Sequence, residues 1–389
     1  MTAGAKAPFR ALVADYGDFD ASAEVPGVLA GAGASVDIYC SERSWLRAGG
    51  KTRRWVRADT SDPDAYVRGL VGLAESGEYD WIVLADDPAI RIVNDRVSDP
   101  ECAARILPIV RGANRAFLGS KAGLVRLCVE HDIRSPEQCV MHIDGTVEGT
   151  VPAFPLLAKR DRSEGGSGVF LCADQAALDA LRSGMSDEER RDLVLQRYVS
   201  GDNISVEALY RNGELLAAAV SRVLRTFPNE FGTSIDRLYG EPHAVEDLLV
   251  AAGRAAGANG FANITIMRDR ETGEYLLVEL DMRPNCWFRM ASRAGVDFSR
   301  AARMWLEGRT DRLIPPPLRP VTARYFMRDM LDALGRKDFA GMAKWAVNAD
   351  GRWRWLPTHD RKLMRTLIGR ACRHIGKRTY RVLLRGVSS

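Results

Sequence analysis

Short apolar runs alternate with amphipathic segments through the first third of the chain. The apolar runs predict strands over residues 9–13, 35–39 and 79–84, and a helical spacing of apolar positions predicts helices over 21–32 and 64–75. Strands separated by helices are typical of a doubly wound parallel sheet. The turn after the first strand reads Asp15-Tyr16-Gly17-Asp18. Because it lacks the G-x-G-x-x-G pattern, a dinucleotide site there is not supported.

The middle of the chain is richer in strands. A helix is predicted over 120–131, followed by strands over 154–160 and 169–172 and a helix over 174–183. Alternating positions predict further strands over 193–198, 205–210 and 214–220, then a helix over 242–256. Strands over 262–268 and 274–280 flank Glu271-Thr272-Gly273, which predicts a hairpin. The expected fold class is therefore α/β with an α+β lid.

Length and composition agree with a multidomain globular protein. The 389 residues, 46% of them hydrophobic, suffice for two or three domains. We expect a domain over 1–115, a second over 116–312 with a mobile lid around 120–200, and a proline-rich connector with a basic helical tail over 313–389. No stretch reaches the roughly 18 apolar residues of a membrane helix, and no secretory signal is recognised. The seven cysteines form no C-x-x-C pair, so reduced thiols and a cytoplasmic location are expected.

Positive charge is concentrated at the C-terminal end. The net charge is +4, yet residues 361–389 hold nine Lys and Arg and no acidic residue. Their helical spacing predicts one apolar stripe, formed by Leu363, Leu367, Ile368, Cys372 and Ile375. Four interpretations remain: docking on the acidic body of the chain, an anionic membrane surface at the inner membrane face, a partner groove, or nucleic acid. Docking is favoured, and a nucleic-acid partner is not expected.

Lysine is rare, which draws attention to two positions. Between Thr52 and Arg336 the only lysines are Lys121 and Lys159, whereas most positively charged residues of the chain are arginines. An isolated lysine indicates a site that needs a compact ammonium group. Lys121 opens a predicted helix, and Lys159 ends a strand just before a glycine-rich loop over 163–168. Such a loop can place backbone N–H groups around phosphate oxygens, although an ordinary hairpin turn has the same composition.

An acidic strand end supplies the complementary chemistry. Strand alternation places Glu279, Asp281 and Arg283 on one face, with the two carboxylates about 7 Å apart at Cα. Carboxylate oxygens are the ligands that Mg²⁺ prefers, and it commonly shares them with nucleotide phosphates. The arginine is placed to neutralise a phosphoryl group in transfer. The alternative is a solvated strand face, which the apolar neighbours of these residues disfavour.

In this order and at these distances, the motifs resemble those of ATP-grasp enzymes. The resemblance rests on Lys121, on Lys159 with its loop, on the segment Gln196-Arg197-Tyr198-Val199-Ser200-Gly201, and on Glu279-x-Asp281-x-Arg283. It covers about residues 9 to 310 and is closest to the carboxylate–amine ligase and carbamoyl-phosphate-synthetase-like branch. It implies an N-terminal doubly wound sheet followed by an ATP-grasp fold.

The resemblance also implies a role for each matching residue. Lys121 and Lys159 would contact the ATP phosphates, and the loop would close over them. Glu279 and Asp281 would bind the metal, with Thr265 where a further acidic ligand is usual. The catalytic residues would be Arg283, Asn285 and Lys159, facing the γ-phosphate and the acyl phosphate. The remaining nucleotide contacts would come from the loop residues Ser163, Gly165, Gly166, Ser167 and Gly168, from Gln196, Arg197, Tyr198 and Val199 at the adenine, and from Asp202 and Asn203 near the ribose.

The implied activity is ATP-dependent ligation. A carboxylate becomes an acyl phosphate and an amine then displaces phosphate, with ATP and Mg²⁺ (or Mn²⁺) as cofactors. The substrates would be small molecules such as an amino acid or an envelope precursor, contacted by Arg222, Arg225 or Arg289. Two alternatives remain: carbamoyl or phospho transfer on the same scaffold, and a non-catalytic nucleotide-binding module recruited by its basic tail. A homo-oligomer is compatible with this sequence.

Overall fold

The computed structural model describes residues 9–313, 319–370 and 373, which fold around three β-sheets. The predicted proline-rich connector falls largely within 314–318, and Cys372 and Ile375 of the predicted tail stripe also lie outside the described residues. Within the described part of the chain, no helix is long and apolar enough to cross a bilayer.

The first sheet is parallel and confirms the predicted doubly wound architecture. Its strand order is β3-β2-β1-β4. Ala11 and Val13 of β1 pack into one core, whereas Leu12 and Ala14 pack into another, so both faces of the sheet are covered. The elements are β1 (Arg10–Ala14), α1 (Val25–Gly31), β2 (Ser35–Cys40), β3 (Arg54–Arg57), α2 (Pro63–Glu75), β4 (Trp81–Leu84), α3 (Asp87–Arg96) and α4 (Pro100–Ile106).

A second, five-stranded antiparallel sheet occupies the range predicted as a lid. Its order is β6-β5-β9-β7-β8. It has a small core of its own, which contains Leu156, Leu178, Leu193 and Leu195. The elements are α5 (Lys121–Glu130), β5 (Gln138–His142), β6 (Val147–Glu148), β7 (Leu156–Arg160), β8 (Val169–Cys172), α6 (Gln175–Ser183), α7 (Asp187–Arg190) and β9 (Asp192–Arg197).

The third sheet is antiparallel and has six strands in the order β14-β13-β10-β11-β12-β15. The predicted hairpin forms at its edge, where Gly273 adopts the positive φ of +74° that the turn requires. The elements are β10 (Gly201–Arg211), β11 (Glu214–Phe227), β12 (Thr233–Tyr239), α8 (Glu246–Ala256), β13 (Gly260–Asp269), β14 (Tyr275–Asp281), α9 (Trp287–Ala294), α10 (Phe298–Leu306), β15 (Val321–Arg324), α11 (Phe326–Gly335) and α12 (Phe339–Ala346).

The C-terminal region is built into this fold. Strand β15 pairs with β12, so part of the range predicted as connector and tail completes the sheet of the preceding range. Residues 361–370 form a helix, of which Leu363 and Leu367 are buried while Ile368 is exposed. Asp360 accepts a hydrogen bond from the Gly50 backbone N–H at 2.6 Å. The described start of the tail therefore docks on the N-terminal part of the chain, as the favoured interpretation expects.

Candidate active site

All three sheets contribute to one cavity of about 670 Å³. The first sheet supplies Asp86 and Asp87, which follow β4 at its carboxyl end. The second supplies Lys159 at the end of β7, and the third supplies Glu279 and Asp281 in β14. Residues more than a hundred positions apart therefore face one space.

Lys121 holds the root of the glycine-rich loop. Its Nζ donates to the carbonyl oxygen of Ser163 at 2.6 Å and to that of Asp161 at 3.3 Å. The Asp161 carboxylate in turn accepts from the Ser120 hydroxyl and the Ala122 N–H at the start of α5, at 2.8 Å each. The loop is therefore fixed to this helix, and the ammonium group is held where the loop turns back.

The loop passes closely over the opposite wall of the cavity. Gly165 and Gly166 have positive φ values of +58° and +75°. A Cβ added to Gly166 would lie 2.0 Å from the carbonyl oxygen of Phe231, in the β11–β12 connection. Glycine at this position is therefore required both by the backbone conformation and by the close contact.

Lys159 is a buried cation with little compensation. Only 4% of the residue is exposed, and its Nζ donates to Gln196 Oε1 at 2.8 Å. Burial lowers the pKa of Lys159 to about 8; Glu279 opposes this shift, and the charge of Lys121 adds to it. These effects show that both lysines and Glu279 act on one another across the cavity. An anion bound between the lysines would relieve the cost of burial.

The acidic strand end is arranged by the pairing of β13 with β14. Thr265 lies opposite Glu279 and donates to its Oε2 at 3.4 Å, and Asn263 lies opposite Asp281. Arg283 donates to Asp87 at 2.6 Å and to Asp281 at 3.2 Å. Burial, followed by repulsion from Asp87, raises the pKa of Asp281. Arg283 opposes this shift, because its positive charge favours the ionised carboxylate.

The donor set here fits a metal that shares its ligands with a bound phosphate. Among the described residues, no group of three or more His, Cys, Asp and Glu could hold a metal ion by itself. Glu279 and Asp281 offer two carboxylates, and Thr265 adds a hydroxyl. Mg²⁺ suits such a site because it is commonly bound by one or two carboxylates together with substrate phosphates.

Polar groups line the cavity beyond Lys159. Gln196 accepts from Lys159 and donates through Nε2 to Gln138 at 2.8 Å, so its amide is oriented from both sides. Arg197 donates to Asp269 at 3.0 Å. Asn203 lines the cavity, and its Oδ1 is buried without a hydrogen-bond partner in the described structure. That oxygen is available to accept a hydrogen bond from a ligand hydroxyl group.

Comparison with known proteins identifies this arrangement of sheets. A search against protein-family models finds no match. An L-amino acid ligase from Bacillus licheniformis superposes with a TM-score of 0.58 at 13% identity, over 82% of this chain and 79% of that one. N5-carboxyaminoimidazole synthetase from Staphylococcus aureus, complexed with ADP, gives a TM-score of 0.63 at 11% identity, over 85% and 86%. The chain has the ATP-grasp fold.

One curated relative is also similar in sequence. A D-alanine–D-alanine ligase from Polaromonas naphthalenivorans is 22% identical over 177 residues, which are 41% of this chain. The match spans about half of that relative's length (54%). The structural comparisons, which cover 82% and 85% of this chain, confirm the predicted fold.

Within the ATP-grasp fold, most of the predicted nucleotide residues meet at the cavity. The lining includes all of them except three, Ser167, Gly168 and Asp202, together with the predicted metal and catalytic residues. Asn285 lines the cavity and also forms two hydrogen bonds within the chain. Its Nδ2 donates to Asn263 at 2.9 Å, and its Oδ1 accepts from the Trp287 N–H at 2.9 Å.

The three arginines expected at the substrate are placed elsewhere. Arg222 pairs with Glu241 at 2.8 Å, Arg225 pairs with Asp236 at 2.7 Å and with two carboxylates of α11, and Arg289 lies 3.8 Å from Glu24. None of these arginines is among the residues that line the cavity. Each lies against acidic groups of the chain itself, so the structure places these guanidinium groups in intramolecular ion pairs.

Other charged residues line the ATP-grasp cavity without having been predicted. Arg237 of β12 donates to Ser234 at 2.8 Å and to the fully buried Glu207 at 2.5 Å. Asp20 and Arg328 form a pair at 3.1 Å. The sequence predicts no element between residues 220 and 242, and Arg237 of β12 lies in that interval. No motif in the sequence links Asp20 to Arg328, because only the fold brings residues 308 positions apart together.

Proposed function

We propose that the chain is an ATP- and Mg²⁺-dependent ligase that activates a carboxylate as an acyl phosphate and couples it to an amine. The observation that carries this proposal is the buried ammonium group of Lys159, which shares one cavity with Lys121, Glu279, Asp281 and Arg283. Two ammonium groups, a guanidinium group and two carboxylates are the complement of a metal-bound triphosphate. The ADP in the Staphylococcus aureus structure supports this proposal.

The proposal gives each part of the nucleotide a position in the cavity. Lys121 and Lys159 bind phosphate oxygens, and the loop carrying Gly165 and Gly166 covers them. Gln196 and the backbone near Val199 meet the adenine, and Asn203 accepts a hydrogen bond from a ribose hydroxyl. Glu279 and Asp281, with Thr265, hold Mg²⁺, which supplies positive charge at the phosphates when bound.

The reaction then proceeds in two steps. A substrate carboxylate oxygen attacks the γ-phosphorus, and the bond between that phosphorus and the β–γ bridging oxygen breaks to release ADP. The nitrogen of the neutral amine next attacks the acyl carbon; a C–N bond forms and the C–O bond to phosphate breaks. The nitrogen loses one proton to the departing phosphate, which leaves as hydrogen phosphate. Arg283 neutralises charge on the transferring group, and the loop excludes water that would hydrolyse the acyl phosphate.

Trapping of the acyl phosphate tests this function directly. The protein is incubated with Mg-ATP, a pool of carboxylic acids and hydroxylamine, and both ADP and hydroxamate are measured. We expect hydroxamate in proportion to ADP for at least one acid, and loss of both products in Glu279→Gln. The alternative of phospho transfer without an acyl phosphate gives ADP without hydroxamate. The alternative of a non-catalytic nucleotide-binding module gives neither product while nucleotide still binds.

A further inference from the structure

A charged pair in the cavity wall is left unused by the nucleotide and the metal. Asp20 lies in a short 3-10 turn of the N-terminal region, and Arg328 lies in α11 of the C-terminal region. Arg328 Nη2 donates to Asp20 Oδ1 at 3.1 Å. Both residues line the cavity, together with Tyr325. The turn that carries Asp20 and the helix α11 thus meet at one wall of the cavity.

The pair is well enclosed but not fully satisfied. The side chains of Asp20 and Arg328 are 13% and 27% exposed. Arg328 Nε is buried without a hydrogen-bond partner in the part of the chain that the structure describes. Tyr325 is buried and hydrogen-bonded to Asp20, which fixes the carboxylate from a second side. A guanidinium group that keeps an unbonded donor therefore lies in the cavity wall beside a positioned carboxylate.

The other arginine at this end of the cavity is more firmly committed. Arg237 donates to both Glu207 and Ser234, and its guanidinium group lies over the Trp287 ring at 4.2 Å from the centroid. The Arg237 guanidinium group is therefore held in place by its hydrogen bonds and by its contact with the Trp287 ring. Arg328 keeps an unbonded Nε in the described structure, and a carboxylate is the group that a planar guanidinium binds best.

The chemistry of the pair matches a zwitterion. A ligand that carries one negative and one positive group can replace the Asp20–Arg328 contact with two of its own and leave the net charge unchanged. The function proposed above assigns the carboxylate to be phosphorylated to Arg283 and Asn285. A carboxylate bound by Arg328 is then a second one, which stays free through the reaction. An amine substrate with a free carboxylate is an amino acid.

We propose that Asp20 and Arg328 form the head-group subsite for an α-amino acid that serves as the amine substrate, a role that rests on the ligase function proposed above. Arg328 binds the α-carboxylate, and Asp20, held by Tyr325, binds the α-ammonium group until that group loses a proton to solvent. The nitrogen then attacks the acyl phosphate, as in the second step above. Specificity for the amine substrate thus depends on the N-terminal and C-terminal regions together.

The experiment compares two nucleophiles in Arg328→Met and in the wild-type protein. Hydroxylamine carries no carboxylate, so hydroxamate formation should be the same in both proteins, which also shows that the variant folds. With glycine, L-alanine, L-glutamate and L-phenylalanine as nucleophiles, we expect amide formation in the wild-type protein for at least one. The wild-type protein should use the corresponding amino acid carboxamides poorly, because they lack the carboxylate that Arg328 is proposed to bind. In Arg328→Met the KM for the amino acid should rise by about 30-fold or more, with the KM for ATP unchanged.

The controls separate this subsite from the ligase function itself. Arg222→Met removes an arginine outside the cavity and should change neither hydroxamate formation nor amide formation. Asp20→Asn should lower amide formation with amino acids and leave hydroxamate formation unchanged. Equal use of amino acids and carboxamides, or an unchanged KM in Arg328→Met, overturns the subsite. If the wild-type protein forms no hydroxamate at all, the ligase function fails. The subsite is then judged by melting temperature, which must rise with an amino acid and not with its carboxamide, and must not rise in Arg328→Met.

Discussion

Replacing Lys159 by methionine should stabilise the nucleotide-free protein while weakening its binding of ATP. Burial holds the pKa of Lys159 at about 8, against 10.5 for an ordinary lysine, so the folded state carries a penalty of about 3 kcal/mol at neutral pH. Methionine removes this penalty at similar volume. The lost hydrogen bond to Gln196 costs about 1 kcal/mol. We expect Lys159→Met to raise the free energy of unfolding by about 2 kcal/mol at pH 7.

The pH dependence of this difference gives a second, independent check. Below about pH 8 the ammonium group is charged in both folded and unfolded wild-type protein, so the penalty is fully present. As the pH rises from about 8 towards 10.5, the folded protein loses this proton before the unfolded chain does, and the wild-type protein gains stability. The advantage of Lys159→Met should therefore shrink through this range.

Urea denaturation of both proteins from pH 7 to pH 10, with and without Mg-ATP, measures these effects. With saturating Mg-ATP the order should reverse, because only the wild-type protein gains the attraction between Lys159 and phosphate. Lys121→Met is the matched control: its Nζ holds loop carbonyl groups, so its loss should destabilise the nucleotide-free protein. A nucleotide-free Lys159→Met variant that is less stable than wild type at pH 7 would refute the reasoning.

Three further predictions concern other parts of the molecule. Glu279→Gln should lower kcat for ADP formation by about 100-fold with the fold retained; an unchanged kcat contradicts the metal assignment. Gly166→Ala should raise the KM for ATP about tenfold, because its Cβ meets Phe231 and its φ is strained, whereas Gly72→Ala, in an open helical position, should not. Arg225→Met should lower the free energy of unfolding by about 2 kcal/mol, because it removes one of two arginine partners from each of three buried carboxylates. Substrate KM values should be unchanged; a selective rise in KM would instead restore Arg225 to the substrate site.

The sequence predicted the parts of the fold that local patterns determine. The strands β1, β2 and β4, the helix α2 and the hairpin between β13 and β14 all follow from apolar periodicity and turn residues. The short helices α3 and α4 were missed, although Asp86 and Asp99 cap their first turns and a proline lies at the start of each. Strand β12 was missed because polar residues interrupt its apolar pattern. Thr233, Ser234 and Arg237 line the cavity, whereas Ile235 and Tyr239 are buried apolar residues.

The site was predictable where its residues belong to contiguous motifs and not where the fold assembles it. The signals at Lys159 and Glu279 are local in sequence. Lys159 is a rare lysine just before a glycine-rich loop, and Glu279 lies two positions before Asp281 on the same face of a strand. The arginines that belong near the substrate could not be chosen by position, because the chain has many and pairing decides their role. Arg222 is paired with Glu241 outside the cavity, whereas Arg328 is paired with Asp20 and lines the cavity.

The ion pair between Asp87 and Arg283 shows why the cavity depends on the assembled chain. Asp87 begins α3, after the first sheet, and Arg283 follows β14 of the third sheet, yet their side chains meet at 2.6 Å. Arg283 is only 20% exposed, and without Asp87 it would lose the shorter of its two ion pairs and keep the one with Asp281 at 3.2 Å. The N-terminal sheet therefore positions the arginine proposed to act on the transferring phosphoryl group. A fragment that lacks the first sheet would retain Lys159, Glu279 and Asp281 but lose the group that orients Arg283.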